Sequence, residues 1–406
     1  MMSEKTIPQD GALAGIRVLD LTSVVLGPLA TQILGDYGAE IIKVEALDGD
    51  LMRANGFSRH AGMSSVFLAI NRNKRSVAID LKRPDGVEAI KRLLPGVDVV
   101  LHNMRIPAIR RLGLDYEDVQ AINPEIVYCA ATGFGQDGPD RNKPAFDDII
   151  QAASGIASLV GGPNGQPEYV PSLIADKTAG MAVVNAVLAA LVSRARTGYG
   201  QYIEVPMLET LVAFNMAEHF GGRAFVPPLG KAGYTRIMDG GRRPTPASDG
   251  YLSILPYSPT QWIAFFRRTD REDLLARFDL SDRHKLNASV TQLYKEMALI
   301  TPARTCEEWL TICEELDIPA TPIYSLDTLE DHPHLKAVEL FQTMEHPTEG
   351  RIRCIRPAVK FARTPASIRR PAPRLGQHTE EILKEAGLDM AEIGRLLDTG
   401  VINRTA

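Results

Sequence analysis

The residue with the most chemistry to offer is Asp176, in the run Ile174-Ala175-Asp176-Lys177-Thr178-Ala179-Gly180, directly ahead of the most apolar helical stretch, 177–194. Two accounts fit it. As a helix N-cap, its carboxylate accepts a backbone N–H and contributes about 1 kcal/mol. As a reacting group, it stays ionised at neutral pH beside amide donors able to stabilise a developing oxyanion. Asp147 and Asp148 pose a similar choice: Phe146, Ile149 and Ile150 flank the pair, an apolar frame that turns one acid inward. A third group is basic. Asn71-Arg72-Asn73-Lys74-Arg75 enters an expected strand, Lys82 leaves it, and Asn103, Arg105 and Arg111 follow a neighbouring strand. Cations at the ends of parallel strands lie where open α/β sheets bind ligands, and guanidinium groups match phosphate geometry. Solvated surface charge explains the same pattern. The histidines form no triad, and nucleophile elbow, H-E-x-x-H and Walker motifs are absent. His332-Pro333-His334 reads as a turn rather than a metal site.

These side chains need elements to position them. Residues 15–21 read as a strand, 29–37 as a helix that Gly27-Pro28 opens, and 40–45 as a second strand, which together make a βαβ unit. The alternation recurs with a strand at 76–81, a helix at 84–94, and strands at 97–101, 126–131 and 202–205, giving an α/β domain with a largely parallel sheet. Gly221-Gly222 and Val226-Pro227-Pro228 mark a linker. A strand at 251–255 and helices across 261–316, including an amphipathic one at 305–316, then outline a smaller α+β domain. The tail carries a strand at 351–355 and a short helix. Glu45 ends the second strand where a ribose-binding acid would stand, but the turn 22–28 lacks the glycines of a dinucleotide fingerprint. The literal G-x-G-x-x-G at 133–138 is followed by Pro139 instead of a helix, and reads as a glycine loop over a pocket.

Composition narrows the function classes. The chain has 406 residues, 45% hydrophobic and 23% charged, with a net charge of −5, so no global basic field draws in nucleic acid. Four widely spaced cysteines suit free thiols in a reducing compartment. Residues 1–12 resemble neither a secretory nor a transit signal, and the apolar run 181–192 falls short of a membrane span. The expected location is the cytoplasm.

The segments in combination resemble the family III CoA-transferases, a group that includes formyl-CoA, carnitine and succinate–hydroxymethylglutarate CoA-transferases. The motifs run from Gly15 to near Leu383: G-I-R-V-L-D-L-T with G-P at 27–28, G-A-E-I-I-K-V-E at 38–45, N-R-N-K-R-S at 71–76, N-P-E-I-V-Y at 123–128, G-F-G-Q-D-G-P at 133–139, D-K-T-A-G at 176–180 and L-G-Q-H-T at 375–379. The resemblance implies that Asp176 is the covalent nucleophile and Asp147 the second active-site acid. It also implies CoA contacts at Val24, Val25, Ile79, Lys82, Asn103 and Arg111, with Arg75 and Arg105 as supporting cations. It implies a large Rossmann-like domain over 1–215 and 331–406, a small domain over 222–330, and an interlocked homodimer. Coenzyme A would enter as a substrate, with no metal or prosthetic group.

This chain departs from the family pattern in places. Ala46 stands where some relatives place an arginine, Asn103-Met104-Arg105-Ile106-Pro107 replaces N-F-R-P-G, and the formyl-CoA transferase glycine lid is replaced by Asp239-Gly240-Gly241-Arg242-Arg243-Pro244. Arg242 and Arg243 offer a place for a second carboxylate, a hint of dicarboxylic acids that plain surface charge explains equally well. Alternatives are an α-methylacyl-CoA racemase or intramolecular CoA shift, and a CoA-binding scaffold without turnover. Racemases resemble the chain but place histidine where Asp147 stands. Two carboxylates serve that proton transfer less well, which favours the transferase.

Overall fold

Six short segments rich in Val, Ile and Leu form the central sheet: Arg17–Leu21 (β1), Glu40–Glu45 (β2), Lys74–Ala78 (β3), Val99–His102 (β4), Val127–Thr132 (β5) and Gln201–Pro206 (β6). In the computed structural model, which describes residues 11–162, 165–238 and 241–403, all neighbouring pairs are parallel. The order is β3-β2-β1-β4-β5-β6. The chain builds outward from β1 to β3, then returns to the other side of β1 with β4. That reversal leaves a crevice beyond the carboxyl ends of β1 and β4, the place where doubly wound sheets bind ligands.

Side chains alternate across the strands, so each strand feeds both faces of the sheet. Leu19, Ile42, Val77 and Val100 share one cluster with Ile382, Leu383, Ile393, Leu396 and Ile402 from the C-terminal segment. That segment therefore covers one face of the sheet. Elsewhere the helices Leu26–Asp36 and Ile174–Thr197 pack on each other and on the strands. Gly180 permits the close approach: a Cβ there would lie 2.8 Å from the Leu26 carbonyl oxygen. The Ile174–Thr197 helix has 24 residues and ends at Gly198 in the left-handed conformation (φ 80°). It is longer than the apolar run read from sequence, and by length and composition alone could cross a membrane. Its Ala175, Ala179, Val183, Val184 and Val187 are buried in the protein instead.

Two compact units divide the chain. The first holds the sheet and comprises 1–155, 169–214 and 338–406. It includes the antiparallel hairpin described below. The second comprises 156–168 and 215–337, so it takes in a segment, 156–168, that the sequence reading leaves in the large domain. Its three-stranded antiparallel sheet, Thr245–Ala247 (β7), Gly250–Ile254 (β8) and Ala320–Pro322 (β9), adjoins an aromatic core of Trp262, Phe265, Phe266, Tyr294 and Trp309. Thr305 and Glu308 form a capping box on the helix Cys306–Glu315, the amphipathic helix expected there. The hairpin of the first unit pairs Phe341–His346 (β10) with Gly350–Ile355 (β11).

Candidate active site

A cavity of about 240 Å³ opens at the switch point of the first unit's sheet. Its walls come from the chain just beyond the strand ends: Ser23 and Val24 after β1, Asn103 to Arg105 after β4, Gly133 after β5 and Met207 after β6. Asp176 also lines it, so the helix Ile174–Thr197 delivers a carboxylate to the crevice.

Asp176 is not the cap. The N-cap position belongs to Leu173, which makes no side-chain cap bond, and Asp176 lies within the first turn. Asp147 does the capping from another element. Its Oδ1 accepts from the Ala175 N–H at 2.8 Å and the Asp176 N–H at 3.3 Å, while its Oδ2 accepts from Gln151 Nε2 at 3.1 Å. Gln151 sits one turn along the helix Asp147–Ala153, and its Oε1 accepts from the Val170 N–H at 2.8 Å. Asp147 is buried and Asp148 exposed, so one acid of the pair faces inward, although of the flanking apolar residues only Ile150 is buried while Phe146 and Ile149 are exposed. Two amides expected to serve an oxyanion, those of Ala175 and Asp176, are therefore already bonded to Asp147.

The charge on Asp176 also differs from the sequence expectation. Burial removes water from its carboxylate, and the negative charge of Asp147 adds to the penalty, so its pKa is pushed up to about 7. A helix N-terminus alone would hold a carboxylate ionised. Here desolvation and a like charge outweigh it, and the group is poised between acid and carboxylate at neutral pH.

Of the other residues singled out from sequence, Val24, Asn103 and Arg105 line the cavity. Val25, Ile79, Lys82, Arg75 and Arg111 are not among its walls. Val25 is buried at the N-cap of the Leu26–Asp36 helix, and Ile79 is in the core, bridged to Ile402. Lys82 and Arg111 are exposed. The basic run 71–75 does not face the cavity as expected; its charges are buried and paired inside the fold. Arg72 pairs with Asp36 at 2.7 Å, Lys74 with Asp20 at 3.2 Å, and Arg75 with Glu381 and Glu385, both at 2.7 Å, as well as with Glu40. Arg75 is thus a clamp between the sheet and the C-terminal segment, not a free cation for a phosphate. Arg242 and Arg243 belong to the second unit, and Asp239 and Gly240 lie outside the described residues.

Several wall residues escaped the sequence reading: Ser23, Leu51, Arg141, Lys143 and Met207. Arg141 and Lys143 sit in the polar run after the glycine loop, whose following Pro139 was the available signal of a loop over a pocket. That loop is tied down: the Gly135 N–H donates to Glu209 at 2.9 Å and the Gln136 N–H to Glu204 at 2.7 Å. Lys143 pairs with Asp140 at 2.7 Å, whereas Arg105 and Arg141 form no ion pair among the described residues. The cavity therefore sets a partly protonated acid among cations, which suits an anionic thioester or acid as ligand.

Comparison with known proteins shows the family. The model of CoA-transferase family III matches residues 13–379. The succinyl-CoA:glutarate CoA-transferase of Homo sapiens is 34% identical over 97% of this chain and 90% of its own length. The succinate–glutarate CoA-transferase of Agrobacterium fabrum is also 34% identical, over 92% of this chain and 95% of its own. Among solved structures, a CAIB/BAIF family protein from Brucella suis superposes with a TM-score of 0.80 at 28% identity, covering 93% of this chain and 100% of that one. Matched in sequence and fold over nearly its whole length, this chain belongs to CoA-transferase family III, enzymes whose substrates are CoA thioesters.

Proposed function

We propose that the enzyme moves CoA from a dicarboxylic acyl-CoA such as succinyl-CoA to a second dicarboxylic acid, with Asp176 as covalent nucleophile. The observation that carries this reading is the placement of a buried, partly protonated Asp176 on the wall of the switch-point cavity. The names of relatives acting on succinate and glutarate support the substrate class.

In this mechanism an oxygen of the Asp176 carboxylate attacks the thioester carbonyl. The C–S bond breaks, leaving a mixed anhydride and CoA thiolate. The thiolate attacks the aspartyl carbonyl of the anhydride, releasing the donor acid as carboxylate and forming an aspartyl-CoA thioester. The acceptor carboxylate attacks that thioester carbonyl and displaces the thiolate, which then takes the acyl group from the new anhydride and restores Asp176. Each step exchanges one leaving group for one nucleophile, so a hard exchange becomes several easier ones. Asp147, held by Gln151 and by the helix amides it caps, keeps Asp176 in place and tunes its proton affinity. Arg105 and Arg141 supply positive charge for the anionic substrates.

The chain is also proposed to work as a homodimer; the exposed Met181 and Val192 on the Ile174–Thr197 helix support an apolar contact there. Light scattering at micromolar concentration checks it, with a monomer mass as the contrary result. The reaction itself is tested by incubating succinyl-CoA with a panel of mono- and dicarboxylates and analysing the products by mass spectrometry. The expected result is a new dicarboxylyl-CoA with release of succinate, and no solvent deuterium at the α-carbon of a 2-methylacyl-CoA. Rapid α-exchange without change of CoA partner would instead assign a racemase.

A further inference from the structure

We infer that Lys43 and Asp50 are positioning residues that hold the Ser23–Val24 turn in a strained shape, and that this shape forms the wall against which the CoA thioester is seated. The inference rests on the CoA site proposed above. The turn leaves β1 and lines the cavity. Val24 has φ 71°, a left-handed conformation that β-branched residues avoid and that glycine adopts freely. Such strain persists only where the surroundings over-determine it.

The surroundings do so with side chains. Lys43 Nζ donates to the Thr22 carbonyl at 3.0 Å and to Asp50 Oδ2 at 2.9 Å. Asp50 Oδ1 accepts from the Val24 N–H at 3.1 Å and from the Met52 N–H at 2.9 Å. From the far side of the crevice, Asn103 donates to the Ser23 carbonyl at 2.8 Å and accepts its N–H at 3.0 Å. The turn is gripped at Thr22, Ser23 and Val24, and the two side chains of the Lys43–Asp50 pair are 0% and 1% exposed.

A buried ion pair is weak evidence for a stabilising role, because apolar residues of similar volume often serve as well. Apolar residues cannot present an oriented donor and acceptor to the backbone of a turn. Leu51, next to Asp50, lines the same cavity, so the pair fixes two parts of its wall at once. Without the pair, Val24 relaxes to negative φ and the wall moves, while Asp176, on a different element, keeps its place.

The test is the double variant Lys43→Met/Asp50→Asn, which removes the buried charges together. The expected result is a rise of about tenfold or more in KM for the acyl-CoA, with kcat changed less than about threefold. A folded double variant with unchanged KM overturns the inference. Asp50→Glu keeps the buried charge balance but displaces the acceptor. It predicts the same rise if the double variant does not fold, and an unchanged KM there is equally contrary. Ser23→Trp fills the cavity and separates the two levels. A raised acyl-CoA KM in Ser23→Trp with none in the Asp50 variants sinks only the positioning role, whereas no change in Ser23→Trp removes the site and the inference with it.

Discussion

A carboxyl group with a pKa of about 7 is a compromise between nucleophile and leaving group. In the proposed mechanism only its ionised form attacks the thioester, so kcat/KM should fall as pH drops through about 7, with Asp176 as the titrating group. The Asp147 charge is the second cause of the raised pKa, after burial. Asp147→Asn retains an acceptor for the helix amides but loses that charge, so the acidic limb of the pH–rate profile should move to lower pH. An unmoved limb would show that Asp147 does not act on Asp176. The same pKa also predicts a stability effect. Between the unfolded value near 4 and the folded value near 7, the native state binds the extra proton, so stability falls as pH rises through that window. Asp176→Asn should therefore be more stable than wild type at pH 8, by up to about 4 kcal/mol, with the gap closing as pH falls toward 4. Denaturant melts of both proteins across this range check it; a constant gap is the contrary result. Asp176 was legible in sequence as an acid at a helix start. Its raised pKa was not, because its burial and the approach of Asp147, 29 residues upstream, both arise only in the fold.

At the scale of elements, local pattern was a good guide to strands and helices, because apolar alternation and glycine or proline punctuation act within a few residues. The run 71–75 shows where that guidance ended. Five consecutive polar residues look like ligand-binding surface, yet Arg75 meets glutamates 306 and 310 residues away, and Arg72 meets Asp36. No local rule brings those partners together. Arg75→Met should accordingly lower stability by about 1–3 kcal/mol, since it leaves charge-assisted bonds unmade, while KM for the acyl-CoA stays within about twofold. Thermal melts and steady-state kinetics on one variant decide between clamp and phosphate ligand: a normal melt with a raised KM would restore the sequence reading. The helix Ile174–Thr197 offers a second test. A Cβ at Gly180 would meet the Leu26 carbonyl at 2.8 Å, so Gly180→Ala should force the two helices apart and cost about 1–3 kcal/mol. An unchanged melting temperature would contradict that packing.

For the molecule as a whole, the strand order decides where the crevice opens. The reversal between β1 and β4 opens one crevice, and the loops that follow those strands bring Ser23, Val24, Asn103 and Arg105 to it from distant parts of the chain. The βαβ alternation made a parallel sheet legible, but the cavity walls depend on which strands become neighbours, and that order is set by long-range packing. The proposed mechanism has Asp176 carry the acyl group and then CoA. It is tested most directly by comparing wild type with Asp176→Asn during turnover of succinyl-CoA and glutarate, adding hydroxylamine and mapping the trapped residue by mass spectrometry. A hydroxamate is expected at Asp176 in the wild type, with none at that position in a folded Asp176→Asn and turnover reduced by about a thousandfold or more. Near-native transfer by the folded variant would contradict that mechanism.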